Sequence, residues 1–123
     1  MPLFIEINGK KHHINLNNYR NWFYQLSNKI KKEYKKIAEY KLRDKKGIKL
    51  GRVKLEFVMH RKDKRKVDRS NVLSIHEKFF CDALVELGFL EDDNDNFIVS
   101  TTYKTGDIDK INAGVAITIQ EVD

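Results

Sequence analysis

Apolar and polar positions change period several times along this chain, and each change marks an element. Leu3-Phe4-Ile5-Glu6-Ile7 predicts a first strand, and Asn8-Gly9 is a hairpin turn signal, with His13-Ile14-Asn15-Leu16 as a short returning strand. From Asn17 or Asn18, either of which can cap a helix, the period lengthens. Tyr19, Trp22, Phe23, Leu26, Ile30, Tyr34, Ile37 and Ala38 recur three and four apart, which predicts one long helix. Lys29, Lys32, Lys35 and Lys36 occupy its opposite face. Lys45-Lys46-Gly47 and Gly51 break the pattern into a loop, and Val53-Lys54-Leu55-Glu56-Phe57-Val58-Met59 then alternates with period two, the signature of a half-buried strand. A second helix is predicted over about residues 71–87. Its stripe is Val72, Ile75, Phe79, Phe80, Ala83, Leu84 and Leu87, Ser70 or Asn71 is its cap, and Gly88 stands at its stop. Strands over Phe97–Tyr103 and Val115–Ile119 complete the reading. The order is strand, helix, strand, helix, strand, strand. This predicts a mixed α/β (α+β) fold in which two main helices pack against one small mixed sheet.

At 123 residues the whole chain, 1–123, is expected to form a single domain able to bury its own core. Cys81 is the only cysteine, so no intramolecular disulfide can form, which suits a reducing compartment. No apolar run reaches the roughly 20 residues of a membrane span, and the N-terminal residues lack the pattern of a signal peptide. A cytoplasmic protein is therefore expected.

Charge divides the chain in two. Residues 1–69 hold 21 Lys and Arg against 7 Asp and Glu, a local +14, whereas residues 70–123 hold 3 against 11, a local −8, for the net +6. The basic half is an electrostatic footprint for nucleic acid. Arg61, Lys62, Lys64, Arg65, Lys66 and Arg69 are its densest part and the expected DNA-contacting run. The acidic half excludes a simple charge-neutralising coat. Carboxylates beside a basic surface weaken anion binding unless they hold a cation, and Mg²⁺ takes such oxygen ligands together with water and phosphate. Asp68 and Asp93 are the expected ligands, with Asp92 and Asp95 in reserve. A helix of about 17 residues separates the two by ~25 Å along its axis, so they meet only if the chain folds back beside the preceding loop. Lys78 and Asp82 have the spacing of a surface ion pair. Lys78 could also stabilise charge on a transferring phosphate, but position alone favours the ion pair. Cys81 reads as a small buried residue and His12-His13 as strand surface.

Asp68-Arg69-Ser70-Asn71, then Lys78 through Asp82-Ala83-Leu84, then Gly88-Phe89-Leu90-Glu91-Asp92-Asp93 together resemble the RusA family of Holliday junction resolvases. The resemblance covers about a quarter of the chain. It implies a RusA-like fold, a Mg²⁺-dependent endonuclease of four-way DNA junctions and a homodimer. By position it implies that Asp68 and Asp93 are metal ligands and that Lys78 is the essential lysine. Two features depart from the family pattern. Ser70 stands where a second aspartate is expected, and the segment from Asn71 to Lys78 is a few residues longer. A non-catalytic DNA-binding recombination accessory on the same fold is the main alternative, and a structure-selective ribonuclease or toxin is a third reading.

Overall fold

A computed structural model describes residues 1–122. The chain folds as an α+β unit: β1 (Phe4–Ile7), β2 (Lys10–His13), α1 (Leu16–Asn21), α2 (Tyr24–Lys41), a 3-10 turn (Arg43–Lys45), β3 (Arg52–His60), α3 (Arg69–Glu86), β4 (Ile98–Thr105) and β5 (Gly114–Val122). Among the described residues no helix is long and apolar enough to cross a membrane.

Asn8 (φ 51°) and Gly9 (φ 81°) both adopt left-handed conformations, as a two-residue turn between twisted strands requires. The returning strand therefore starts at once, at Lys10, rather than at His13 as expected. That frees Asn15, whose side chain accepts a hydrogen bond from Asn18 N at 2.8 Å and caps α1 in place of Asn17 or Asn18. The single long helix is also two helices. Trp22 (ψ 129°) and Phe23 (ψ 163°) are extended, and Phe23 is 65% exposed although it lies in the apolar stripe. Spacing of three and four continues through the break because both segments rest on the same core, so periodicity alone could not reveal it.

Two sheets form where one was expected. The β1–β2 hairpin stands apart from a mixed sheet of order β4-β3-β5. Central β3 pairs parallel with β4 (Phe57 opposite Tyr103) and antiparallel with β5 (Phe57 opposite Ile117). Val53, Leu55, Phe57 and Met59 are buried beneath α3, while Lys54 on the other face is exposed. This is the outcome that the period-two pattern predicts for a sheet covered on one face.

Helix α3 joins the two parallel strands and packs between that sheet and α1 and α2. Phe79 turns toward the helices, edge-on to Tyr19 and Tyr34 at 6.0 and 5.5 Å between ring centroids, while adjacent Phe80 meets Phe57 at 6.2 Å. Burial on two sides explains why Leu73, His76 and Cys81 are buried as well as the predicted stripe. Its cap is neither Ser70 nor Asn71. Asp68 Oδ1 accepts from Ser70 N (3.0 Å) and Asn71 N (3.3 Å), and the side chain of Asn71 instead accepts from Asn17 N, tying α1 to α3. Gly88 (φ 84°) ends the helix as predicted. Its N–H bonds to the Val85 carbonyl and that of Phe89 to the Leu84 carbonyl, the paired closure of a Schellman motif.

Candidate active site cleft

Polar residues on the middle turns of α3 face β4 and the loop that precedes it. There they line an open cleft of about 330 Å³. Helix α3 contributes Ser74, Glu77, Lys78 and Cys81; the turn before β4 contributes Asp93 and Asp95; β4 contributes Thr101 and Tyr103. The parallel crossover produces this meeting. Because β4 runs beside β3, the chain leaving α3 must return along the helix, which brings Asp93 back toward the middle of α3.

Lys78 and Asp93, two of the residues expected to carry chemistry, therefore share the cleft. Asp68 and Asp92 do not line it. Asp68 is occupied as the cap of α3. Asp92 shapes its turn, Oδ1 accepting from Asp93 N at 2.7 Å and Oδ2 from Asn94 Nδ2 at 3.1 Å. Asp95, a reserve acid in the sequence reading, lines the cleft. Neither Asp93 nor Asp95 pairs through its carboxylate with a cation among the described residues. Lys78 does not pair with Asp82, which binds Lys31 of α2 at 2.7 Å. With Asp82 drawn to α2, the exposed Lys78 ammonium has no carboxylate within ion-pair distance; it lies 6.0 Å from the Tyr19 ring.

Glu77 is the residue that sequence reasoning missed. It accepts a hydrogen bond from Tyr103 Oη across the cleft. Burial, and then that bond, push the Tyr103 hydroxyl well above its ordinary range, so Tyr103 is a neutral donor. Cys81 is raised to about 12, chiefly by burial and further by the charges of Glu77, Asp93 and Asp82, so its thiol stays protonated and is no nucleophile.

The basic run lies at the far end of β3. Arg61 donates to the Arg65 carbonyl at 2.9 Å, Arg65 pairs with Asp63 at 3.5 Å, and Arg69 donates to Thr105 Oγ1 at 3.2 Å. Lys62, Lys64 and Lys66 are exposed. This loop enters α3 one to two turns before the cleft.

The donor set is compatible with a hard cation. The cleft presents carboxylate oxygens beside open volume, although among the described residues no three His, Cys, Asp or Glu side chains cluster as a ready-made cage. Mg²⁺ is ordinarily held by one or two carboxylates, with water and phosphate completing its shell. Compared with known proteins, the chain matches no family model and no curated protein.

Proposed function

We propose that this protein is a Mg²⁺-dependent endodeoxyribonuclease that hydrolyses phosphodiesters at four-way DNA junctions. The observation that carries the reading is the meeting of Lys78 with Asp93 and Asp95 in one cleft, next to a loop of exposed cations. A bare cluster of acids would repel a phosphate, and a bare basic surface would have no use for them. Together, around a cation, they form a site for phosphoryl chemistry.

Asp93 and Asp95 would hold the cation. When bound, it supplies Lewis-acid polarisation of the scissile phosphate and an acidified water. Lys78, free of a carboxylate partner, would stand against the negative charge that grows on the phosphoryl oxygens. Tyr103 fixes the Glu77 carboxylate on the wall of the cleft, where it can orient water. Arg61, Lys62, Lys64, Arg65, Lys66 and Arg69 would hold a DNA arm by its phosphates, giving salt-sensitive affinity with little sequence information. Two symmetric cuts require two equivalent clefts, which a two-fold homodimer would provide.

The rival is a DNA-binding recombination accessory without catalysis. It is favoured by the engagement of Asp68 as a helix cap outside the cleft lining. Incubating the protein with a synthetic four-way junction, a linear duplex and an RNA duplex, with Mg²⁺ and with chelator, separates the readings. Symmetric Mg²⁺-dependent nicks confined to the junction are expected, abolished in Asp93→Asn with binding retained. Junction binding without cleavage in any divalent metal would leave the accessory reading in place, and preferential cleavage of RNA would replace both.

A further inference from the structure

A second cationic loop lies at the other end of β3. Arg43, Lys45, Lys46 and Lys49 fall within seven residues that include one acid, Asp44. All four are exposed, and none is within ion-pair distance of a carboxylate among the described residues. Arg43 is held in place: its guanidinium stacks 4.2 Å over the ring of Tyr40 and donates to the Tyr40 carbonyl at 2.8 Å. A structural purpose for so many unpaired cations is hard to find, since the loop itself is anchored by the backbone, Leu50 N bonding to the Phe89 carbonyl at 2.8 Å.

That anchor fixes where the charges lie. Phe89 follows the C-terminal end of α3, whereas the loop 61–66 precedes its N-terminal end. Ser74, Glu77, Lys78 and Cys81 come from the middle turns of the helix, so along the axis of α3 the cleft falls between the levels of the two cationic loops. Strand β3 has nine residues and spans roughly 30 Å at ~3.3 Å per residue. Duplex DNA rises ~3.4 Å per base pair, so this span corresponds to roughly nine base pairs.

We propose that the loop 43–49 is a second phosphate clamp, and that the protein holds one continuous stretch of duplex DNA at two points with the cleft midway between them. This rests on the nuclease reading and adds to it where the substrate strand runs: along α3, from the loop 61–66 to the loop 43–49. The clamp sets a minimum length of duplex on which the protein achieves full affinity.

The test is a series of fluorescein-labelled duplexes from about 6 to about 16 base pairs, titrated in chelator so that nothing is cut, at salt concentrations between about 50 and about 200 mM. The wild-type protein is expected to gain about tenfold in affinity as the duplex passes roughly nine base pairs, as the second set of contacts is reached. In K45Q/K46Q/K49Q that gain should vanish, and for duplexes longer than roughly nine base pairs the dependence of log affinity on log salt should fall by about 3 contacts' worth. K62Q/K64Q/K66Q should weaken binding to short and long duplexes alike. Circular dichroism confirms that each variant is folded, which surface positions make the expected result. A length-dependent gain that survives in K45Q/K46Q/K49Q, or no such gain in the wild type, overturns the clamp. If junction cutting is found and the gain is not, the clamp alone fails; if no DNA is bound at all, the nuclease reading fails with it.

Discussion

His76 and Lys78 lie two residues apart on one helix and occupy opposite media. His76 is wholly buried in the seam between α2 and α3, its Nδ1 2.8 Å from the Tyr34 hydroxyl and its Nε2 without a partner. Burial drives its pKa down to about 3, so it is neutral in the fold. Lys78 lines the open cleft with Glu77, Asp93 and Asp95, and Lys78, Asp93 and Asp95 are exposed to solvent there. The contrast shows that titratable residues on a helix take their chemistry from the layer they face. In the seam polarity survives only as a neutral hydrogen-bonded pair. In the cleft, charges of both signs remain available for a ligand.

The contrast has its largest consequence in acid. An unfolded histidine titrates near 6.5, so below that pH the unfolded chain binds a proton that folded His76 refuses. Stability contributed above pH 6.5 should fall by about 1.4 kcal/mol per pH unit down toward pH 3, where the folded residue also titrates. Urea unfolding between pH 7 and 4 measures the slope. The double variant Y34F/H76L, which removes both polar partners and leaves no orphan, should flatten it without loss at neutral pH, whereas H76L alone should destabilise by about 1–3 kcal/mol. An equally steep wild-type and double-variant slope would assign the acid sensitivity elsewhere.

On the other side of the helix the expected effect shifts from stability to rate. Lys78→Met should lower junction cleavage by about 100-fold or more while moving the melting temperature little. A large loss of stability in that variant would erase the distinction between the two faces. The smallest effect tests Asp68, which sits at the end of the helix between both environments. Asp68→Ala should cost about 1 kcal/mol through the lost cap, and Asp68→Asn, which can still accept the two amide bonds, should cost little. Cleavage that tracks these stabilities makes Asp68 a cap alone; cleavage abolished in a stable Asp68→Asn gives it a second role as a ligand.

The elements that could be read from sequence are those whose pattern is set by one flat or one cylindrical interface. Val53 to Met59 alternates because β3 has one covered face, and the stripe from Val72 to Leu87 marks the inner side of α3. The break at Trp22-Phe23 was hidden because the apolar spacing is the same on both sides of it. His76 could not be read as buried, because a histidine is polar and does not register in an apolar stripe; only its bond with Tyr34 in the seam shows why it is inside. For the site, the distance between Lys78 and Asp93 along the chain gave no sign of their meeting, which depends on the parallel return of β4. Glu77 was illegible for the same reason: its significance lies in Tyr103, 26 positions away, brought opposite by that crossover.

Strand β3 also dictates when the protein can be complete during its own synthesis. It holds its parallel neighbour through a local loop-helix-strand unit, but its antiparallel neighbour begins only at Gly114. Until that last segment emerges, one side of the central strand carries unmatched backbone donors and acceptors beside Val53, Leu55 and Phe57, a template on which nascent chains can pair with one another. A chain stopped before Gly114 would keep every residue of the cleft and still lack the partner that closes this edge, so it is expected to associate with other such chains rather than fold as a smaller domain.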